Sequence, residues 1–232
     1  MLFIDIETHP ALIASFNIRS PDASAVWVER NTFILCFAAQ WAHEKKVRIH
    51  ALPDYKRYKK DRYDDKPLCK ELARYLDEAD FVAAHNGDRF DVPLIMGRLW
   101  INDIPEPSPF GQLDTYKMSK RFKLDSHKLD NIVRQKQLGK KLANTGGALW
   151  RACGEGDPKA WENMTLYCRH DTELLVETYH ALASWKKNHP AMHDSGCHVC
   201  GSHNLHRRGR VRQTPKFQFN CRDCGHWFTA KP

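Results

Sequence analysis

The chain opens on a strict alternation of apolar and acidic residues. In Leu2-Phe3-Ile4-Asp5-Ile6-Glu7-Thr8, a strand sends Ile4 and Ile6 to one face and Asp5 and Glu7 to the other. One face enters a core, and the other presents two carboxylates side by side. Beyond the Thr8-His9-Pro10 break, Ala11–Asn17 reads as the hairpin partner of this strand. Phe33–Trp41 and Lys46–Leu52 are apolar and β-prone, joined by the polar His43-Glu44-Lys45 turn. This run of strands predicts an antiparallel meander. Pro53–Lys66 interleaves Lys56, Arg57, Lys59, Lys60 and Arg62 with Tyr55, Tyr58 and Tyr63. Its aspartates (54, 61, 64 and 65) nearly cancel that charge, so the stretch reads as a solvated loop.

Helical periodicity begins at Leu68–Ala79, with Leu68, Leu72, Tyr75 and Leu76 on one face. Phe81–Ala84 is a short apolar run of the kind found in buried strands. It ends at His85-Asn86-Gly87-Asp88-Arg89-Phe90-Asp91. A helix is predicted next, with Asp91 in its N-cap region and Pro93 in its first turn. Asp114-Thr115 reads as a helix start. Ser126 is placed as the cap of a helix carrying Leu129, Ile132, Val133 and Leu138, stopped by Gly139; Asn144–Gly147 is a loop. Asp157-Pro158 opens the longest helix, predicted to run to about residue 188. His189-Pro190 through Gly196 breaks it and reads as a linker.

Length and composition narrow the class. A chain of 232 residues holds one good-sized domain and a small appendage. No apolar run approaches the ~20 residues of a membrane helix, and the start lacks the regions of a signal peptide. The expectation is a cytoplasmic, reducing setting in a bacterial or phage-infected cell, without membrane partners. There the eight cysteines are expected as metal ligands or buried thiols, not disulfides. Cys36, Cys69, Cys153 and Cys168 show no pairing pattern and read as buried thiols. The net charge is +8, and residues 190–232 hold seven Lys/Arg against two Asp. A basic tail suggests a polyanionic partner.

Three acidic segments carry the chemistry. Asp5 and Glu7 lie on a strand, Asp91 starts a helix after a buried strand, and Tyr167-Cys168-Arg169-His170-Asp171 lies inside the long helix. Tyr167 and Asp171 are spaced i, i+4 and share a helix face, while His170 is turned about 100° away. Clustered carboxylates repel and are costly to bury unless cations neutralise them, and carboxylate oxygens suit Mg²⁺ and Mn²⁺.

Taken together, these segments resemble the Exo I, Exo II and Exo III motifs of the DEDD 3′–5′ exonucleases, in the ribonuclease H-like superfamily. Asp5-Ile6-Glu7 matches the first motif, His85-Asn86 through Phe90-Asp91 the second, and Tyr167-x-x-x-Asp171 the third. The histidine form would place His at position 166, which is Leu, so the resemblance is to the tyrosine (DEDDy) subclass. It spans residues 1 to about 185. It implies an α/β fold with a mixed five-stranded sheet flanked by helices. It also implies four carboxylates (Asp5, Glu7, Asp91, Asp171) holding two Mg²⁺ or Mn²⁺ ions about 3.5–4 Å apart. Tyr167 then orients the attacking water or the scissile phosphate, since a phenol with pKa about 10 is a poor base at neutral pH. Asn86 and Phe90 are expected either at the terminal nucleotide or as a turn former and a core aromatic.

The tail has its own pattern. Cys197-x-x-Cys200 and Cys221-x-x-Cys224 stand twenty residues apart, the spacing of a four-cysteine zinc ribbon. Gly201 and Gly225 follow the second cysteine of each pair, where a tight turn favours glycine. Four thiolates leave no open position, so one structural Zn²⁺ is expected. Arg207, Arg208, Arg210 and Arg212 are expected to contact nucleic acid, and the aromatics Phe217, Phe219, Trp227 and Phe228 either to stack bases or to form the ribbon's core.

The expected organisation is an exonuclease domain at 1–188, a linker at 189–196 and a zinc ribbon at 197–232. The expected activity is metal-dependent 3′–5′ release of nucleoside monophosphates from single-stranded or frayed DNA, in proofreading, replication, repair or processing. DNA is favoured over RNA, and a separate polymerase or replisome protein is a candidate partner. The alternatives are an RNA exonuclease and an inert nucleic-acid-binding module on the same fold.

Overall fold

The computed structural model describes residues 1–16, 25–186, 189–190, 196–210 and 217–230. In chain order its strands and helices are β1 (Leu2–His9), β2 (Leu12–Ala14), β3 (Trp27–Arg30), β4 (Phe33–Trp41), β5 (Arg48–Ala51), α1 (Lys66–Asp77), β6 (Phe81–Ala84), α2 (Asp91–Ile101) and β7 (Gly111–Asp114). Then come α3 (Thr115–Ser119), α4 (Leu129–Gln135), α5 (Gly147–Glu155), α6 (Pro158–Ala183), β8 (Leu205–Arg210), β9 (Phe217–Cys221) and β10 (Trp227–Ala230). The central sheet has the order β5-β4-β1-β6-β7. β1 runs antiparallel to β4 and parallel to β6, and β6 runs parallel to β7. This is the expected mixed five-stranded sheet flanked by helices.

β1 occupies the middle of that sheet, which is why its first half is buried on both faces. Leu2, Ile4 and Ile6 share a cluster with Leu68, Leu72 and Leu76 of α1 and Ile95 and Leu99 of α2. Phe3 belongs to a second cluster with Ala83, Leu113 and the α6 residues Leu175, Val176, Tyr179 and Ala183. The Phe3 and Tyr179 rings meet edge to face at 5.1 Å, which lays α6 along the face that carries Asp5 and Glu7. Cys36, Cys69, Cys153 and Cys168 are all buried, as expected. Among the described residues no helix is long and apolar enough to cross a membrane.

Several local expectations are corrected. The segment after β1 does not pair with it: β2 forms a separate two-stranded ribbon with β3, and Asn17 lies outside the described residues. The long apolar β4 takes the place beside β1, because it buries seven successive residues there and the short β2 buries none. Ser126 is not the cap of α4: Lys128 occupies that position, and Ser126 accepts a hydrogen bond from its N–H at 3.3 Å. Helix α5, which begins where a loop was expected to end, carries no long apolar stripe. α6 ends at Ala183 and not near residue 188.

The 53–66 stretch is not a solvated loop throughout. Asp65 is fully buried and ties three elements together. It accepts from Arg98 Nε at 2.8 Å and Nη2 at 2.7 Å, from Asn102 Nδ2 at 2.9 Å and from the Ile34 N–H at 2.9 Å. Removing one partner of such a pair strands the other charge, which costs about 3–5 kcal/mol. Asp65→Ala is therefore expected to lower unfolding free energy by about that amount in urea titrations. A loss below about 1 kcal/mol, the scale of a surface pair, would make this a peripheral contact.

Candidate active site

The acidic site forms where β1 outruns its parallel neighbour. β1 pairs with β6 only at Leu2↔Val82 and Phe3↔Ala83. Past Ala84 the chain turns away, and the Ile6 N–H is met by the Asp91 carboxylate at 3.3 Å. The turn that delivers Asp91 is held from β7. Asp114 Oδ1 accepts from the Asn86 N–H at 2.9 Å while capping α3, and Asn86 adopts a left-handed conformation with φ of 65°, which asparagine tolerates. Asp91 begins α2 with its side chain buried, and Phe90 supplies the cap position.

α6 brings the remaining acid. Ligand oxygens of Asp5, Glu7 and Asp171 all lie within 4.8 Å of one another, while Asp91 stands beside them on the Ile6 amide. Cys168, one turn before Thr172 on α6, packs its thiol on Asp5 at 3.6–3.7 Å. Two further residues close the site that sequence reasoning did not single out. Lys141, in the connection from α4 to α5, places Nζ 2.5 Å from Asp171 Oδ2 and 3.1 Å from the Tyr167 hydroxyl. Trp150 of α5 donates its indole N–H to Glu7 Oε2 at 3.0 Å, and its ring meets Tyr167 edge to face at 6.0 Å. Neither had a signal in the sequence: Lys141 is one of many lysines, and Trp150 lies on a helix the periodicity did not reveal. His170 faces away from the acids, as expected, and its Nε2 donates to the Lys140 carbonyl at 2.9 Å. That bond anchors the segment carrying Lys141.

The acids are held against their own repulsion. Burial raises the pKa of Asp5 well above the usual range, with further increments from Glu7, Asp91 and Asp171. Burial likewise lifts Glu7 to about 7, with the Trp150 hydrogen bond opposing. Asp91 also rises to about 7 through burial, opposed by the Ile6 amide. Asp171 rises less, because Lys141 counters its burial. Such a cluster calls for positive charge, and Lys141 lowers the pKa of Asp5, Glu7 and Asp171 without offsetting their burial. Moreover Asp171 Oδ1 is buried with no hydrogen-bond partner among the described residues. An orphaned carboxylate oxygen facing two other carboxylates is a donor set suited to a hard divalent cation.

Phe90, the other Exo II candidate, is 45% exposed beside Asp91 rather than buried in the core. The backbone of Asn86 forms the turn, its carbonyl accepting from the Arg89 and Phe90 N–H groups. The arginines lie elsewhere. Arg207 and Arg208 are exposed on β8, over the rings of Phe217 and Trp227 respectively. Arg210 also lies on β8, and Arg212 lies outside the described residues.

The four tail cysteines converge as a second candidate metal centre. Their sulfurs lie within 4.8 Å of one another, with Cys197···Cys224 and Cys200···Cys221 both at 3.6 Å. A tetrahedron with metal–sulfur bonds of about 2.3 Å has edges of about 3.8 Å, so the cage fits a single four-coordinate ion. The two halves are built alike. The Gly201 N–H bonds the Cys197 carbonyl and the Gly225 N–H bonds the Cys221 carbonyl, each at 2.9 Å. Both glycines have φ near 75° (74° and 75°), the conformation expected of them. A three-stranded antiparallel sheet, β10-β9-β8, carries the centre.

Comparison with known proteins agrees with this fold. No curated protein sequence matches the chain. A family B DNA polymerase from the hyperthermophilic archaeon Pyrobaculum calidifontis superposes on 79% of it with a TM-score of 0.57 and 15% identity. That alignment covers 24% of the polymerase, so the chain spans only that fraction of the polymerase's length, and the likeness is one of fold. The model of the RNase_H superfamily matches residues 26–183, a span that contains Asp91, Tyr167 and Asp171 while Asp5 and Glu7 precede it. With that match over more than half its length, on a mixed five-stranded sheet with clustered carboxylates, the chain belongs to the RNase H superfamily.

Proposed function

We propose that this protein is a 3′–5′ exonuclease of the DEDDy type, acting on single-stranded or frayed DNA. The observation that carries the proposal is the convergence of Asp5, Glu7 and Asp171 within 4.8 Å, with Asp91 and Tyr167 alongside. Mg²⁺ or Mn²⁺ ions held by Asp5, Glu7, Asp91 and Asp171 would neutralise phosphate charge and lower the pKa of a nucleophilic water. The protein's own groups do the rest. Burial raises the Tyr167 phenol to about 12, so it stays protonated at neutral pH and serves as a hydrogen-bonding orienter rather than a base. Trp150 fixes the rotamer of Glu7. Lys141 adds positive charge beside Tyr167, where a phosphate oxygen would carry its negative charge. Phe90, exposed next to Asp91, suits stacking on the terminal base. Residues 1–188 form the catalytic unit and 197–232 a zinc ribbon that binds nucleic acid through its arginines.

The test is a time course with 5′-labelled single-stranded DNA and the matching RNA, in Mg²⁺ or Mn²⁺. A ladder shortening one nucleotide at a time from the 3′ end supports the proposal, with DNA degraded faster than RNA. Faster degradation of RNA would make this an RNA exonuclease. No cleavage of either would leave the site without its proposed activity.

The raised carboxyl pKa values add a signed pH dependence. In the metal-free protein Glu7 and Asp91 titrate near 7, against about 4 in an unfolded chain. The folded state therefore binds more protons between these values, and these groups make it less stable as pH rises from about 4 to 7. Divalent ions bind the deprotonated form, so they reverse the trend. Mn²⁺ affinity is expected to fall about tenfold per pH unit below 7 for each proton displaced. Calorimetric titration at pH 5.5 and 8 checks this, and equal affinity at both would remove the carboxylates as ligands.

A further inference from the structure

A wide cleft of about 730 Å³ separates the C-terminal end of α6 from the β8–β10 sheet. Its walls include Trp185 and Lys186 just beyond α6, Arg121 after α3, and His198, Trp227 and Phe228 from the cysteine-bearing unit. The two walls are fastened where His226 Nδ1 donates to the Ser184 carbonyl at 3.1 Å and its ring meets that of His189 at 5.9 Å, with Val199 packed against the Phe3–Tyr179 cluster. Among the described residues no acidic side chain lines the cleft. Trp185 is 54% exposed and Trp227 44% exposed, although aromatic side chains of this size are ordinarily well covered. Each carries a guanidinium over its ring, Arg121 at 6.0 Å and Arg208 at 5.7 Å.

We propose that this cleft is a binding site for single-stranded nucleic acid, with Trp185 and Trp227 as stacking platforms on opposite walls and Arg121 and Lys186 as phosphate contacts. Exposed aromatic faces beside cations, with no acid among the described lining residues, match a strand that offers a base and a phosphate at every step. An apolar protein partner would leave the cations unpaired in a desolvated interface. The site is distinct from the carboxylates. Asp171 and Ala183 lie twelve residues apart on α6, which is about 18 Å at 1.5 Å per residue. At about 3.4 Å per stacked nucleotide, that is about five nucleotides. A strand whose 3′ end reaches the carboxylates thus has a second hold a short way upstream. The inference deepens the nucleic-acid reading given above, but its test reads binding and not hydrolysis.

The test uses the full chain carrying Asp5→Asn, so that the oligonucleotide survives, and fluorescein-labelled 16-nucleotide oligothymidine and oligouridine. Anisotropy titrations compare this parent with added Trp185→Ala, Trp227→Ala, Lys186→Gln and the control Trp100→Ala. Trp100 is exposed on α2, away from the cleft. Each cleft tryptophan variant is expected to raise Kd about tenfold, the scale of one lost stacking contact. Lys186→Gln is expected to reduce the slope of log K against log salt by about 1. Trp185→Phe, which keeps a flat ring, is expected to retain most of the affinity, separating stacking from misfolding. The proposal is overturned by an unchanged Kd in both tryptophan variants, by an equal loss in Trp100→Ala, or by a parent that binds neither oligonucleotide. A wild-type chain that binds through the cleft but leaves DNA and RNA intact would instead overturn only the nuclease reading.

Discussion

Asp5→Asn is expected to reduce 3′-end hydrolysis by at least about 10³-fold while leaving the fold intact. The loss follows from what the carboxylates are asked to supply. Charge stabilisation by bound divalent ions is worth several kcal/mol in the transition state, and each 1.36 kcal/mol is a factor of ten. Asp5 lies at the centre of the repulsive cluster, raised by burial and then by Glu7, Asp91 and Asp171. Removing its charge relieves that repulsion, so the metal-free variant should melt at or above the wild-type temperature at pH 8. The pair of readouts separates a catalytic residue from a structural one. A rate within tenfold of wild type would overturn the site. A large fall in melting temperature would mean that Asp5 serves the scaffold. Asp171→Asn should lose activity equally, but it also strands Lys141, and its stability is expected to drop.

Cys221→Ser is expected to abolish binding of one zinc per chain and to unfold the β8–β10 sheet. The unit is small, and among its described residues only Cys197, Cys221 and His226 are buried. Structural zinc sites contribute on the order of 10–16 kcal/mol in peptides of this kind, more than such a core can replace. Elemental analysis should show one zinc in the wild type and none in the variant. Limited proteolysis should then cut within residues 196–230 while 1–183 resists. Unchanged zinc content would mean that the sulfur cage is not the site. Lost zinc with an intact sheet would mean that packing against Ser184 and His189 holds this unit without metal.

The acids of the candidate site were legible because each sits in a strong local pattern. Alternation puts Asp5 and Glu7 on one strand face, and i, i+4 spacing puts Tyr167 and Asp171 on one helix face. Paired Cys-x-x-Cys units report a sulfur cage in the same way, since four such side chains within a short tail can only meet if the chain wraps around them. The buried runs of β4 and β6 were equally plain, because a strand covered on both faces needs apolar residues throughout.

What escaped the sequence is what depends on partners far apart in the chain. Proximity alone pairs β2 with β1, but burial gives that position to β4, which begins at Phe33. Asp65 looked like one of four solvated acids until Arg98, Asn102 and the Ile34 amide surrounded it. Lys141 and Trp150 reach the carboxylates from segments with no motif of their own, and the cleft between Trp185 and Trp227 forms where His226 docks on the end of α6. Periodicity records which face of an element is apolar. It carries no record of which distant side chain will meet that face, because that choice is made by packing and charge pairing summed over the whole fold.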